Sequence, residues 1–150
     1  MMIRSAVRYS LPILLLCLPL LAADPIYGVW KVREDAQNPA LKSELMKVEE
    51  VAGGTKFTFD IVTTQQKLSY YYITELDGKP VSAMAKKKPF SQVKVKKISP
   101  FEYETTMLDL TTEQNYKSTI SKDGKTLIND GTGQARGQTL TIHKVYEKVQ

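Results

Sequence analysis

The sequence predicts an all-β protein, an antiparallel up-and-down β-barrel of about nine or ten strands. From Tyr27 onward, apolar and polar residues alternate with period two in one segment after another, as they do along strands with one wet face and one buried face. Turn sequences such as Gly53-Gly54, Asp77-Gly78 and Asp123-Gly124 separate these segments, and their demand for φ > 0 suits hairpins. An antiparallel sheet of that size curls, and closing it removes edges that would otherwise pair with other chains.

A leader precedes the strands. Arg4 and Arg8 form a basic start, Leu11 to Leu21 is apolar, and Ala22-Ala23 supply small residues before Asp24, which together read as a signal peptide over residues 1–23. The apolar run is about half of the ~20 residues a spanning helix needs, and Pro12 and Pro19 would disturb such a helix. The expected product is an exported, periplasmic or extracellular domain over residues 24–150, with no stable membrane anchor. Cys17, the single cysteine, leaves with the leader, so the domain depends on its core and not on disulfides. The formal charge of +5 falls to +3 without Arg4 and Arg8, leaving 19 basic against 16 acidic side chains.

Each element follows in order. Ile26 to Val32 is a first strand, with Gly28 allowing close packing and Trp30 too large to leave in water. Asp35 to Pro39 is a loop. Between Pro39 and Glu50 two periods compete: Leu41, Leu45 and Val48 fit a helical face, whereas Leu45, Lys47, Glu49 and Val51 alternate. A short helical turn near Leu41 leading into a strand near Leu45 is expected. Beyond Gly53-Gly54, Phe57, Phe59 and Ile61 share one face, and Leu68, Tyr70, Tyr72 and Leu76 share another. A short segment near Val81 follows. Then Val93 and Val95 alternate with Lys94 and Lys96, Phe101, Tyr103, Thr105 and Met107 with Glu102 and Glu104, and Tyr116, Ser118 and Ile120 with Lys117 and Thr119. Leu127 to Gly133, a glycine-rich loop through Gly137, and a last strand over Gln138 to Lys148 complete the chain. No repeat or second domain is evident.

The segment Gly28-Val29-Trp30 soon after a leader resembles the Gly-x-Trp first strand of lipocalins and the wider calycin group. The run Ser121-Lys122-Asp123-Gly124-Lys125-Thr126-Leu127, then Gly131-Thr132 and Val145-Tyr146-Glu147-Lys148, is similar to small exported bacterial proteins with lipocalin-like domains of unassigned activity, as is Tyr72 followed by Asp77-Gly78-Lys79-Pro80-Val81. The resemblance implies a lipocalin-like barrel in which Gly28 and Trp30 form the plug of the closed end. Where lipocalins place an Arg over that Trp, the candidates here are Lys144 and Lys148, which lack the flat guanidinium.

Function then depends on what fills the interior. The expected inward set includes Phe57, Phe59, Ile61, Tyr70, Tyr72, Tyr103, Met107, Tyr116 and Ile120, an apolar wall with phenolic tips. It serves either as solid core or as the lining of a site for a small hydrophobic or amphipathic molecule. Tyr71 faces away from Tyr70 and Tyr72, which excludes a triple-aromatic platform. The alternative is a non-catalytic interaction or inhibitor module working through rim loops at Asp35 to Lys42, Met84 to Phe90 and Gly131 to Gly137.

Lys86, Lys87, Lys88, Lys94, Lys96 and Lys97 form the one basic concentration, read as a solvated edge because no recognition helix accompanies it; no nucleic-acid partner is expected. His143, the single histidine, lacks a recognisable nucleophile partner, so an enzyme is the least favoured class. Glu102 and Glu104 share a face and are expected to pair with the Lys-rich neighbouring strand. No metal and no cofactor is implied, and a monomer is expected.

Overall fold

The computed structural model describes residues 23–35 and 38–150. Apart from Ala23, the expected leader lies outside the described residues. Ten strands follow in chain order: β1 (Gly28–Asp35), β2 (Leu41–Val51), β3 (Gly54–Thr63), β4 (Lys67–Thr74), β5 (Asp77–Ala85), β6 (Lys88–Ser99), β7 (Glu102–Leu108), β8 (Thr112–Ile120), β9 (Thr126–Ala135) and β10 (Gln138–Lys148). Every strand pairs antiparallel with its chain neighbours, and β1 pairs with β10, closing an up-and-down barrel. This is the closed antiparallel up-and-down barrel expected from the alternation.

Register carries the alternation into the core. Phe57 lies opposite Tyr72, Phe59 opposite Tyr70 and Ile61 opposite Leu68, so two inward sets three turns of pleat long face each other across one ladder. Their rings stack at 5.0 Å for Phe57–Tyr72 and 4.7 Å for Phe59–Tyr70, an aromatic geometry worth about 0.5–1.5 kcal/mol per pair beyond burial. Tyr71 points outward, with the Lys56 Nζ 4.9 Å from its ring centre.

Two expectations are corrected. No helical turn stands near Leu41; β2 begins there. Leu45 is exposed on the outer wall, whereas Glu44, Met46 and Val48 are buried, because pairing with β1 and β3 imposes period two and overrides the weak helical spacing. The glycine-rich loop is also shorter than expected: β9 runs on to Ala135, and only Arg136-Gly137 turn the chain. Gly131 and Gly133 are strand positions in β9, and a Cβ on Gly131 would stand 2.0 Å from the Asn115 carbonyl oxygen. Glycine there lets β8 and β9 crowd together.

One seam is thin. Between β4 and β5 only Tyr71 and Met84 are paired. Pro80 has no N–H to give, and β5 carries irregularities at Asp77/Pro80 and at Ala83/Met84.

Candidate functional site

Because successive turns alternate between the two ends of an up-and-down barrel, the ends differ in what closes them. One end is a packed base. Trp30 is fully buried, and its Nε1 donates to the Ile26 carbonyl at 2.8 Å. The Lys148 Nζ sits 4.7 Å from the Trp30 ring centre and donates to the carbonyls of Pro25 and Tyr27 at 2.7 and 2.8 Å. Of the two candidate lysines, Lys148 therefore covers the indole. Burial holds its pKa below the ordinary lysine value, although the nearby Asp24 opposes the shift. Asp24 ties the segment before β1 to the wall, accepting from Lys97 and, at 2.8 Å, from the Tyr103 hydroxyl. Burial disfavours the Asp24 carboxylate, but these bonds, the Ile26 amide and the Lys97 charge outweigh it, and its pKa falls below the usual value. Lys97 thus leaves the solvated basic edge and serves the base.

The other half of the barrel is open inside. A cavity of about 230 Å³ lies between the packed base and the rim, walled by Phe59, Tyr70, Met107, Tyr116, Leu140 and Ile142. Asn38, Gln114 and Gly133 stand towards its mouth, and Asn129 also lines it. Beneath it, sharing Phe59, Tyr116 and Asn129, a void of about 20 Å³ is bounded by Phe57, Tyr72 and Tyr103, room for about one water at most. The cavity therefore ends where the aromatic base begins.

A charged cluster is set into the cavity wall. Glu44 on β2 is 2% exposed; its Oε1 accepts from the Tyr146 hydroxyl at 2.5 Å and its Oε2 from the Lys144 Nζ at 2.8 Å. The same Nζ lies 3.4 Å from the Asp35 Oδ2. Burying a carboxylate is tolerable only with such donors, since an unpaired buried charge costs several kcal/mol. Burial and the neighbouring Glu44 charge push the Tyr146 phenol well above its ordinary value, so it stands as a donor. Burial likewise pushes the Tyr116 phenol up to about 12 and raises Tyr70 and Tyr72 well above 10.

The residues expected to line a site divide between these regions. Phe59, Tyr70, Met107 and Tyr116 meet at the cavity. Phe57, Tyr72 and Tyr103 bound the small void in the base. Ile120 is buried in the core and Ile61 packs against it, neither lining the cavity. The residues missed by sequence reasoning are Glu44, Lys144, Tyr146, Leu140 and Ile142. Counting β2 in steps of two from Val48 places Glu44 inside, and an ionisable residue at an inward position is the signal that could have found it.

The inward face of β10 carries Leu140, Ile142, Lys144 and Tyr146, which sends His143 to the outer wall. There its Nδ1 lies 2.6 Å from the Asp130 Oδ1 on neighbouring β9, with both side chains about half exposed or more. Glu102 pairs with Lys117 of β8 at 2.6 Å, not with the Lys-rich β6 as expected, because it stands opposite Ser99 there while Lys117 faces the same wall. Among the described residues no group of three or more His, Cys, Asp or Glu side chains could hold a metal ion.

No protein-family model and no curated protein matches the sequence. Solved structures do match in fold. A Schistosoma mansoni fatty acid binding protein in complex with arachidonic acid superposes with a TM-score of 0.54 at 14% identity, covering 84% of this chain and 97% of that one. The zebrafish ileal bile acid-binding protein complexed with cholic acid superposes with a TM-score of 0.50 at 12% identity, covering 83% of this chain and 99% of the other.

Proposed function

We propose that this protein binds a small hydrophobic or amphipathic molecule inside the barrel, with export resting on the leader sequence. The observation that carries the reading is the cavity of about 230 Å³ walled by Phe59, Tyr70, Met107, Tyr116, Leu140 and Ile142, with a polar cluster at one side. A wall of apolar side chains supplies affinity, and a few fixed polar groups orient the guest. The base is packed while the upper half is open, so the space is a localised feature of the barrel and not loose packing throughout. That two proteins of this fold are found in complex with arachidonic acid and with cholic acid supports a small-molecule guest here. At about 230 Å³ the space lies just under the ~300–1,000 Å³ usual for ligand pockets, which favours a compact guest over a long chain.

The test is thermal. A panel of uncharged and charged small lipids, aromatic alcohols and amines should include compounds that raise the melting temperature in proportion to the logarithm of their concentration. Filling the cavity by Ile142→Trp should abolish that shift while leaving the fold intact by circular dichroism. A panel without effect, together with no bound molecule in native mass spectra of the protein from its own host, would refute the reading.

A further inference from the structure

We propose that the mouth end of the barrel docks on an anionic lipid bilayer, with Lys86, Lys87 and Lys88 against the headgroups and Leu110 entering between them. The inference goes beyond the binding reading and rests on residues of the rim, not on the charged cluster of the cavity.

Topology sorts the charges. In an up-and-down barrel the turns after β1, β3, β5, β7 and β9 lie at one end, and Asn38 and Gly133 at the cavity mouth mark it as the open one. Lys67, Lys86, Lys87, Lys88 and Arg136 stand exposed in or beside the turns after β3, β5 and β9. Among the described residues the lysine ion pairs fall elsewhere, at Lys47, Lys79, Lys97, Lys117 and Lys144, so the five rim cations keep their charge for an outside partner. The acids beside the turn after β7 are engaged locally. Asp109 accepts from the Thr111 and Thr112 amides at 2.8 and 2.7 Å and from the Thr112 hydroxyl at 2.6 Å, and Glu113 accepts from the Asn115 amide at 2.9 Å.

The Asp109 clamp fixes a turn that holds Leu110 wholly in solvent, at 102% exposure. Beside it, a shallow depression lined by Pro89, Phe90, Leu108 and Leu110 joins this turn to the lysine hairpin in one patch. Phe90, itself 39% exposed, meets Tyr70 of the cavity wall edge-on at 5.3 Å. Apolar side chains ringed by flexible cations are the arrangement of an interfacial anchor. Backbone strain points to the same hairpin: Lys86 and Lys87 hold φ of 49° and 65° where Asn-Gly would fit better, and such strain persists where function needs the side chains. The edge-guarding role expected of the lysine run has no edge to guard, because β6 is paired on both sides. A bilayer suits the patch better than a nucleic acid, whose phosphate backbone offers no apolar layer for Leu110.

Flotation with lipid vesicles, using protein purified from its own host, tests the docking. Phosphatidylcholine vesicles containing about one third phosphatidylglycerol should hold the protein at least tenfold more tightly than phosphatidylcholine alone at about 0.1 M salt, and about 0.5 M salt should remove most of the difference. Lys86→Asn with Lys87→Gly relaxes the turn, so the barrel should stay folded by circular dichroism while affinity for the anionic vesicles falls at least tenfold, about fivefold per lysine. Leu110→Ser should lower that affinity severalfold and leave its salt dependence unchanged. The variants share every other residue with the parent, so any contribution of the apolar run over Leu11 to Leu21 cancels in the comparison. Equal binding to neutral and anionic vesicles, or undiminished binding by the folded lysine variant, would overturn the proposal. A Leu110→Ser protein that binds anionic vesicles as the parent does would overturn it too, leaving the rim a surface for soluble polyanions.

Discussion

Trp30 and Lys148 close the base through contacts in which each satisfies what burial costs the other. The indole N–H has a carbonyl at 2.8 Å, and the ammonium above the ring has two carbonyls to donate to, so neither polar end is left unpaired. Trp30→Ala should therefore cost about 3–5 kcal/mol in urea unfolding, through lost burial and the cavity left behind. A cost under about 1 kcal/mol would mean that the indole is not the plug of the packed end. Lys148→Arg tests the contact separately: the longer, forked head cannot keep both carbonyl bonds in the same space, and a measurable loss of stability is expected. Glu44 is the counterpart at the cavity. It is the residue whose position most changes the chemistry of the interior, because it commits Lys144 and Tyr146 to an internal partner.

Among the elements, the hairpin between β5 and β6 departs furthest from local preference. Lys86 and Lys87 both have positive φ, 49° and 65°, at the two central positions of a tight turn where Asn-Gly would be favoured. The turn between β9 and β10 likewise has Arg136 at φ 50° before Gly137. Each non-glycine residue in this region costs of order 1 kcal/mol, partly offset because glycine would loosen the unfolded chain. Replacing Lys86-Lys87 by Asn-Gly should therefore raise stability by about 1 kcal/mol, read as a shift in the urea midpoint at unchanged slope. No change or a loss would show that the lysine side chains compensate locally.

For the whole molecule, the inward phenols set a response to alkali. Burial raises the pKa of Tyr70, Tyr72, Tyr103, Tyr116 and Tyr146 above 10, with Asp24 adding to the shift at Tyr103 and Glu44 at Tyr146. In the unfolded chain these phenols ionise near pH 10; in the barrel they stay protonated. A raised folded value means that stability is fully present below pH 10 and is lost as pH climbs past it. Each such phenol contributes about 1.4 kcal/mol of loss per pH unit. Lys148, with its value lowered by burial, works the other way, but one group is outweighed by five. Unfolding free energy should thus fall steeply between pH 10 and 11, measured by urea titration. A flat profile there would mean that the phenols reach solvent. On the acid side the lowered Asp24 value contributes stability that is present above about pH 4 and lost as pH falls below it, and Asp24→Asn should remove that dependence.

What could be read from the chain alone was whatever repeats locally. Period-two alternation specified strands, Asp-Gly and Gly-Gly turns specified hairpins, and facing sets such as Phe57, Phe59 and Tyr70, Tyr72 follow from parity once two strands are joined by a short turn. That Trp30 is buried was legible from its size, and the structure leaves it fully buried; a plug role for it was implied only by the resemblance of Gly28-Val29-Trp30 to the lipocalin first strand. Parity stayed ambiguous where two periods competed, as around Leu41 to Val48, and the end of β9 was blurred by the glycine-rich stretch from Gly133 to Gly137. Only pairing with both neighbours chose the face in the first and carried the strand to Ala135 in the second. Tertiary structure alone decided how the interior is divided, because whether an inward aromatic is core or cavity wall depends on side chains that arrive from strands far away in the chain. Glu44, Lys144 and Asp35 meet because β2, β10 and β1 are neighbours in the closed cylinder, and no spacing along the sequence records that meeting.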